Sequence, residues 1–149
     1  MSLEKWLQFG TLTKHEAIIA EIQRLFGAVD RDLSDASLPG MSDDGRFMHA
    51  YDAAFRLCKI ALHVTGCKDG KVEDDHADTL NSLEHTLGQK QTASYLSTCS
   101  TKRQLSLHEQ VGVVSPRDSL ELLKVARRLR TDILTWLRAH HAKLLPKGF

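Results

Sequence analysis

The chain has 149 residues, of which 42 % are hydrophobic and 26 % charged. This composition excludes a disordered chain, and the length favours a single domain over 1–149, with 1–12 as a short N-terminal extension. Twenty Lys and Arg against nineteen Asp and Glu give a formal net charge of +1, which argues against a protein that wraps nucleic acid nonspecifically.

The cysteines and the apolar runs predict the compartment. Cys58, Cys67 and Cys99 form no Cys-x-x-Cys pair, so the pattern predicts neither a disulfide framework nor a thiolate zinc site. No apolar run approaches the roughly 20 residues that cross a bilayer, and the first residues lack the apolar core of a signal peptide. We therefore expect a soluble, cytoplasmic protein that does not associate with membranes.

The first third of the chain predicts two helices. A short one over 3–9 has Trp6 as its apolar anchor. Apolar residues then recur at steps of three and four, which predicts a long amphipathic helix over 14–37. Thr13 followed by Glu16 three residues later matches a capping box, so we expect this helix to begin there.

The central helix is predicted to begin after Ser42, whose hydroxyl can cap its first turn, and to end at Gly66. Two glycines and alternating charges between Gly66 and Asp75 predict a loop. The helix has one broad apolar stripe, formed by Phe47, Tyr51, Ala54, Cys58 and Ala61.

Three further helices are predicted over 77–87, 91–105 and 116–143. The last begins with Ser115 as N-cap and proline at its first turn. Residues 111–114 are the only run typical of a strand, and this run is too short to found a sheet. We therefore predict an all-α protein, an up-and-down four-helix bundle with additional short helices.

The segment from Arg103 to His108 is the strongest candidate for chemistry. Leu96, Cys99 and Arg103 follow one another at helical steps, so the guanidinium is predicted to point along the apolar stripe. An arginine binds phosphate in bidentate fashion, and a histidine titrates near neutrality. The pair therefore suits metal-independent RNA cleavage, whereas the alternative is an ordinary ion pair and a helix cap.

Other polar residues allow two interpretations each. Tyr51 is either a core tyrosine with one hydrogen bond or, with Asp52, part of a site near Arg103. A basic cluster on the last helix is predicted to be a solvated face, although it could steer nucleic acid toward Arg103. The members of that cluster are Lys124, Arg127, Arg128 and Arg130.

Histidines that could bind a metal ion lie at two places in the sequence. Asp74, Asp75 and His76 share one loop, and His140 and His141 lie near the end of the chain. Adjacent histidines point to different sides of a helix and chelate one ion poorly. We predict no metal site and no cofactor.

Three segments of the chain suggest a family when they are taken together. The first is the aromatic and alanine-rich run 50–55, followed by an apolar helix and Gly66. The second is Asp75-His76, just before a predicted helix, and the third is Arg103-Gln-Leu-Ser-Leu-His108, just before the last long helix. These segments resemble the HEPN superfamily of small prokaryotic helical bundles, which often have a histidine that opens the helix after the loop and a signature of Arg, four to six residues and His.

The resemblance implies a homodimer in which two Arg-His pairs form one RNA-binding or RNA-cleaving site. Arg103 would hold phosphate and His108 would serve in acid–base chemistry, as catalytic residues. Gln104 stands where active members often have Asn, Asp or His. We expect it to contact substrate together with Tyr51, Asp52 and His76, the last of these again by resemblance.

The predicted function is RNA binding with metal-independent endoribonuclease activity of the toxin–antitoxin type. Its partners would then be RNA, a second copy of the chain and an antitoxin. One alternative is a non-catalytic module that binds a nucleotide or a nucleotidyltransferase, in which Arg103 supplies only anion binding. The other is a structural or interaction protein without a ligand.

Overall fold

The computed structural model describes residues 2–70, 76–107 and 112–149. Helices account for 74 % of the described residues, which confirms the all-α class. In chain order the elements are α1 (Leu3–Gln8), β1 (Leu12–Lys14), α2 (Ile19–Ala36), α3 (Asp43–Val64), β2 (Cys67–Asp69), α4 (His76–Thr86), α5 (Lys90–Leu107), α6 (Pro116–His140) and a 3₁₀ turn (Ala142–Leu144).

Helix α3 is the centre of the molecule, because α2, α4, α5 and α6 all pack against it. Its small residues let these neighbours approach closely. Ser42 caps its first turn by accepting a hydrogen bond from the Gly45 backbone N–H, and Gly66 follows its end with a positive φ of 93°. Both predicted boundaries are confirmed. The alanines without any solvent exposure are Ala50, Ala53, Ala54 and Ala61.

The long helices α2 and α6 cover α3 with apolar faces. Each face repeats at steps of three and four residues, as in Ile22, Phe26 and Val29 of α2. Helix α6 begins with the predicted cap, in which Ser115 and Asp118 bond each other's backbone N–H groups. The helix ends at His140, three residues earlier than predicted, and a 3₁₀ turn follows.

The start of α2 contradicts the sequence prediction. Thr13 does not cap a helix but lies in β1, and its hydroxyl donates to the Asp69 carbonyl at 3.3 Å. Strand β1 pairs antiparallel with β2, with Leu12 opposite Asp69. A partner distant in the chain thus outweighs the local capping pattern, and α2 begins only after Ile18, which provides no side-chain cap.

The same pairing corrects two further predictions. Residues 67–69 were expected to lie in a loop, yet they form β2. Residues 111–114 are the only strand-like run that the sequence predicts, but the two strands of the described residues lie elsewhere. Residues 112–114 form a turn followed by a bend. Residues 71–75 and 111 lie outside the described part of the chain.

The N-terminal extension packs on the end of α3. Trp6 of α1 and Leu12 of β1 form a small apolar cluster with Leu62 and Cys67. The predicted short helix and its Trp6 anchor are confirmed. Because Leu62 belongs to α3, this cluster is joined directly to the central helix.

Candidate functional site

A cleft of about 330 Å³ opens where α3 meets α4 and α5. Its position follows from the central place of α3, whose polar side chains reach solvent between its neighbours. The lining residues are Leu25, Asp52, Phe55, Arg56, Lys59, His76 and Arg103.

Arg103 lies at the inner side of this cleft. Leu96 and Cys99 precede it on α5 and are both buried, so the helical phase directs the guanidinium inward, as predicted. The guanidinium carbon of Arg103, Cζ, lies 5.2 Å from the centre of the Tyr51 ring, which is within cation–π range. The side chain is only 20 % exposed.

The hydrogen-bonding capacity of Arg103 is not filled. Its buried Nε has no acceptor within the described part of the chain. The nearest carboxylate oxygen of Asp52 lies 3.9 Å from Nε, which is an ion-pair distance and too long for a hydrogen bond. A buried N–H without an acceptor is costly, so an anionic oxygen that entered the cleft would meet a prepared donor.

Tyr51 links Arg103 to His76. The Tyr51 side chain has no solvent exposure, and its hydroxyl is hydrogen-bonded to His76 Nδ1 at 2.9 Å. Burial raises the pKa of Tyr51 above its usual value, so the phenol stays neutral near pH 7. The His76 ring stacks on Phe55 with ring centres 4.0 Å apart. The imidazole is therefore held at the cleft by a hydrogen bond and an aromatic contact.

Among the described residues that line the cleft, positive side chains outnumber negative ones. Arg56, Lys59 and Arg103 contribute cations, and Asp52 contributes the one carboxylate among the lining residues. Arg56 forms an ion pair with the buried Asp32. Lys59 and Arg103 have no hydrogen-bonded carboxylate partner among the residues that the structure describes, so both can contact an incoming anion.

Asp52 has an unusual environment for a carboxylate beside arginines. Burial raises its pKa above the usual value, although the guanidinium groups of Arg103 and Arg56 act in the opposite direction. Burial therefore makes this carboxyl easier to protonate than an exposed aspartate.

Four of the predicted site residues are brought together by the tertiary structure: Tyr51, Asp52, His76 and Arg103. Gln104 is exposed on α5 and does not line the cleft. His108 lies outside the described residues, so its distance from Arg103 stays unstated.

Sequence reasoning did not identify Arg56 and Lys59. A signal was present, because Asp52, Arg56 and Lys59 lie at steps of four and three along α3 and so share one helical face. That polar stripe lies beside the apolar stripe, which by itself indicates only the buried face of the helix.

Two of the four residues in the basic cluster of α6, Arg127 and Arg130, have structural contacts. Arg130 donates from Nε to Asp30 at 2.6 Å and lies over the rings of Phe26 and Phe149. Arg127 is hydrogen-bonded to Ser37. These contacts join α6 to α2 and leave fewer cations for nucleic acid on this face.

Cys58, Cys67 and Cys99 are all buried and free. Burial raises the pKa of Cys58 to about 12, which keeps its thiol protonated.

The adjacent histidines at the end of α6 have different surroundings. The ring centre of His141 lies 4.6 Å from that of Trp136, whereas His140 is exposed.

Comparisons with protein-family models, curated proteins and solved structures found no match to this chain. In the described ranges, none of the helices has both the length and the apolar character needed to cross a membrane. The HEPN resemblance thus stays a prediction, and the cleft around Arg103 carries the functional argument.

Proposed function

We propose that the protein is a HEPN-like RNA-binding protein that holds an RNA phosphate in the cleft around Arg103. The observation that carries this proposal is the inward-facing guanidinium, whose Nε lacks a hydrogen-bond acceptor within the described part of the chain. Arginine is the residue best suited to phosphate because its donors form a planar fork.

Charge and shape support the same ligand. Lys59 adds a second cation to the cleft, and Phe55 and His76 add a stacked aromatic pair. Single-stranded RNA is bound by this combination of cations and aromatic rings, since cations contact the backbone while the bases stack. A neutral apolar ligand would leave Arg103 without a partner.

Metal-independent RNA cleavage is the second candidate function. It is favoured by the imidazole of His76 and the raised pKa of Asp52 in the same cleft as Arg103. One acid–base group would take the proton of the ribose 2′-hydroxyl, and another would protonate the leaving 5′-oxygen, with Arg103 stabilising the added charge. His108, the partner predicted from the family signature, is the other candidate for one of these roles.

The proposal includes a homodimer in which the cleft of one protomer faces that of its partner. Leu105 and Leu107, in the last turn of α5 beyond Arg103, are 38 % and 50 % exposed. Exposed leucines next to a charged cleft suit an interface that a second copy would cover.

Binding is tested with a fluorescent single-stranded RNA and anisotropy titrations at several salt concentrations. We expect Arg103→Ala to weaken binding by about 10- to 100-fold, because a charged hydrogen bond contributes about 1.5–3 kcal/mol. The slope of log K against log salt should also become shallower by about one phosphate contact. Arg138→Ala, at an exposed position near the end of α6, is the matched control and should bind as the wild type does. Equal affinity of both variants would refute the site.

Cleavage is tested separately on the same RNA in EDTA. We expect the wild type to cut and Arg103→Ala to be inactive, while His76→Ala and His108→Ala identify the acid–base groups. Binding without cutting by the wild type would leave the non-catalytic module, with a nucleotide or a nucleotidyltransferase as the next probe.

A further inference from the structure

A second polar cluster lies at the opposite end of α3 from Ser42 and contains two histidines and one glutamate. His15 Nε2 lies 2.8 and 2.9 Å from the two carboxylate oxygens of Glu21. His63 Nδ1 lies 2.6 Å from the nearer of these oxygens. One carboxylate is therefore contacted by two imidazoles.

Three separate elements hold these side chains in place. His15 follows β1, and its backbone N–H donates to the Gly66 carbonyl at 2.8 Å. Glu21 lies in the first turn of α2, and His63 lies in the last turn of α3. Convergence from a strand end and two helix ends gives a site that is ordered by the fold.

The cluster is largely shielded from solvent. The side chain of His63 is 7 % exposed, that of Glu21 is 19 % and that of His15 is 22 %. A neutral imidazole presents a nitrogen lone pair, which is the form that binds a metal ion.

Glu21 supplies the negative charge. Its carboxylate oxygens lie within hydrogen-bond distance of both imidazoles. Glu21 also suits the positive end of α2, so the carboxylate alone identifies no ligand. The contact of two imidazoles with the same carboxylate is what indicates a set of metal ligands.

The geometry lies close to that of a zinc site. The three candidate ligand atoms lie within 4.8 Å of one another. In a tetrahedral site with bonds of about 2.0–2.1 Å, neighbouring ligand atoms are about 3.3 Å apart. Shifts of less than about 1 Å would therefore admit an ion, and each ring could present its lone pair by moving its N–H to the other nitrogen.

A comparison within the molecule strengthens the assignment. A second group, Asp32, Asp35 and His49, also has ligand atoms close together. There the Arg56 guanidinium already pairs with Asp32, so a cation of the protein occupies the place of a metal. No arginine or lysine forms an ion pair with Glu21 among the described residues.

We propose that His15, Glu21 and His63 bind a divalent transition metal ion, with Zn²⁺ as the preferred ion. Two nitrogen ligands and one carboxylate suit borderline metals and disfavour Mg²⁺ and Ca²⁺, which prefer oxygen ligands. Three protein ligands leave a tetrahedral ion one further position for water.

The proposed metal site lies beside the cleft but is independent of the proposed function. Leu25 and Lys59, which line the cleft, lie four residues from Glu21 and His63 on their respective helices. Each separation is about one helical turn. The cleavage assay is performed in EDTA, so its result does not depend on this metal.

The test uses tag-free, chelator-treated protein and Zn²⁺ titrations against a chromophoric chelator. We expect the wild type to bind about one ion per chain, and His15→Gln and Glu21→Gln to weaken binding by more than about 100-fold, because loss of a ligand costs more than loss of an outer-shell contact. His140→Gln, which removes an exposed histidine, is the matched control and should bind normally.

A second measurement keeps the proposal testable if a variant does not fold, as judged by circular dichroism. Co²⁺ added to the wild type should give the intense visible absorption of a four-coordinate complex, and Zn²⁺ should displace it. Absence of both Zn²⁺ binding and this absorption would overturn the proposal. Equal binding by folded His15→Gln, Glu21→Gln and wild-type protein would also overturn it.

Discussion

Arg103 shows how one residue joins packing to function. Its aliphatic stem continues the apolar stripe of α5, while its charged end lies over Tyr51. The ring and the distant Asp52 carboxylate compensate part of the cost of burying the charge, but neither supplies an acceptor to Nε. An interior built for stability alone would pair this group with a carboxylate at hydrogen-bond distance.

The hydrogen bond between Tyr51 and His76 can be tested without disturbing the ring beneath Arg103. We expect Tyr51→Phe to lower the free energy of unfolding by about 1 kcal/mol in urea denaturation, because one buried hydrogen bond is lost. RNA binding should change less than in Arg103→Ala, since the aromatic face is kept.

The other tyrosine of the chain provides the control. Tyr95→Phe should leave the imidazole NMR signals of His76 unchanged, whereas Tyr51→Phe should shift them. Identical His76 signals in both variants and the wild type would mean that the Tyr51 hydroxyl does not contact this ring.

At the scale of elements, the two-stranded sheet decides where α2 begins. Gly70 follows β2, and its N–H donates to the Thr11 carbonyl at 3.1 Å. A Cβ atom added at Gly70 would clash with the carbonyl oxygens of Gly10 and Thr11, because both lie well inside van der Waals distance. Glycine is therefore required by the close approach of two backbones.

Two glycine substitutions should change stability in opposite directions. Gly70→Ala is expected to lower the free energy of unfolding by about 1–3 kcal/mol through overpacking. Gly27→Ala should raise it by about 0.5–1 kcal/mol, because Gly27 lies within α2 and nothing lies near its added Cβ. Denaturant melts of both variants provide the measurement. Destabilisation by Gly27→Ala, or none by Gly70→Ala, would contradict the backbone positions described above.

At the scale of the molecule, one large apolar cluster draws residues from all five long helices, α2 to α6. The small cluster around Trp6 is joined to it through Leu62 on α3. Because both clusters share α3, we predict that they unfold together, as the single-domain prediction requires.

Leu57→Ala tests this coupling. Leu57 has no solvent exposure, so we expect a loss of about 2–5 kcal/mol in the free energy of unfolding. In a Trp136→Phe background, Trp6 fluorescence reports the small cluster and circular dichroism reports the helices. The two transitions should shift together, and separate midpoints would mean that the extension unfolds by itself. Leu38→Ala, at a residue that is 50 % exposed, should change stability by less than about 0.5 kcal/mol.

The helices could be predicted because their signals are local. Apolar spacing, the Ser42 and Ser115 caps and the turn at Gly66 act over four or five residues. The inward direction of Arg103 followed from the same spacing, since helical phase is a property of neighbouring residues. Gln104, which only the family resemblance assigns to the site, faces solvent because adjacent residues of a helix point to different sides.

The tertiary structure decided what depends on residues far apart in the chain. Residues 12–14 form strand β1 and not the beginning of a helix, because they pair with β2, which begins at Cys67. The bond between Glu21 and His63 spans 42 positions, and no periodicity within one helix reports such a contact. The sequence alone therefore determined the helices and which way their side chains point. Packing around α3 determined which polar side chains meet, because that depends on the distances between helices and not on the order of residues within them.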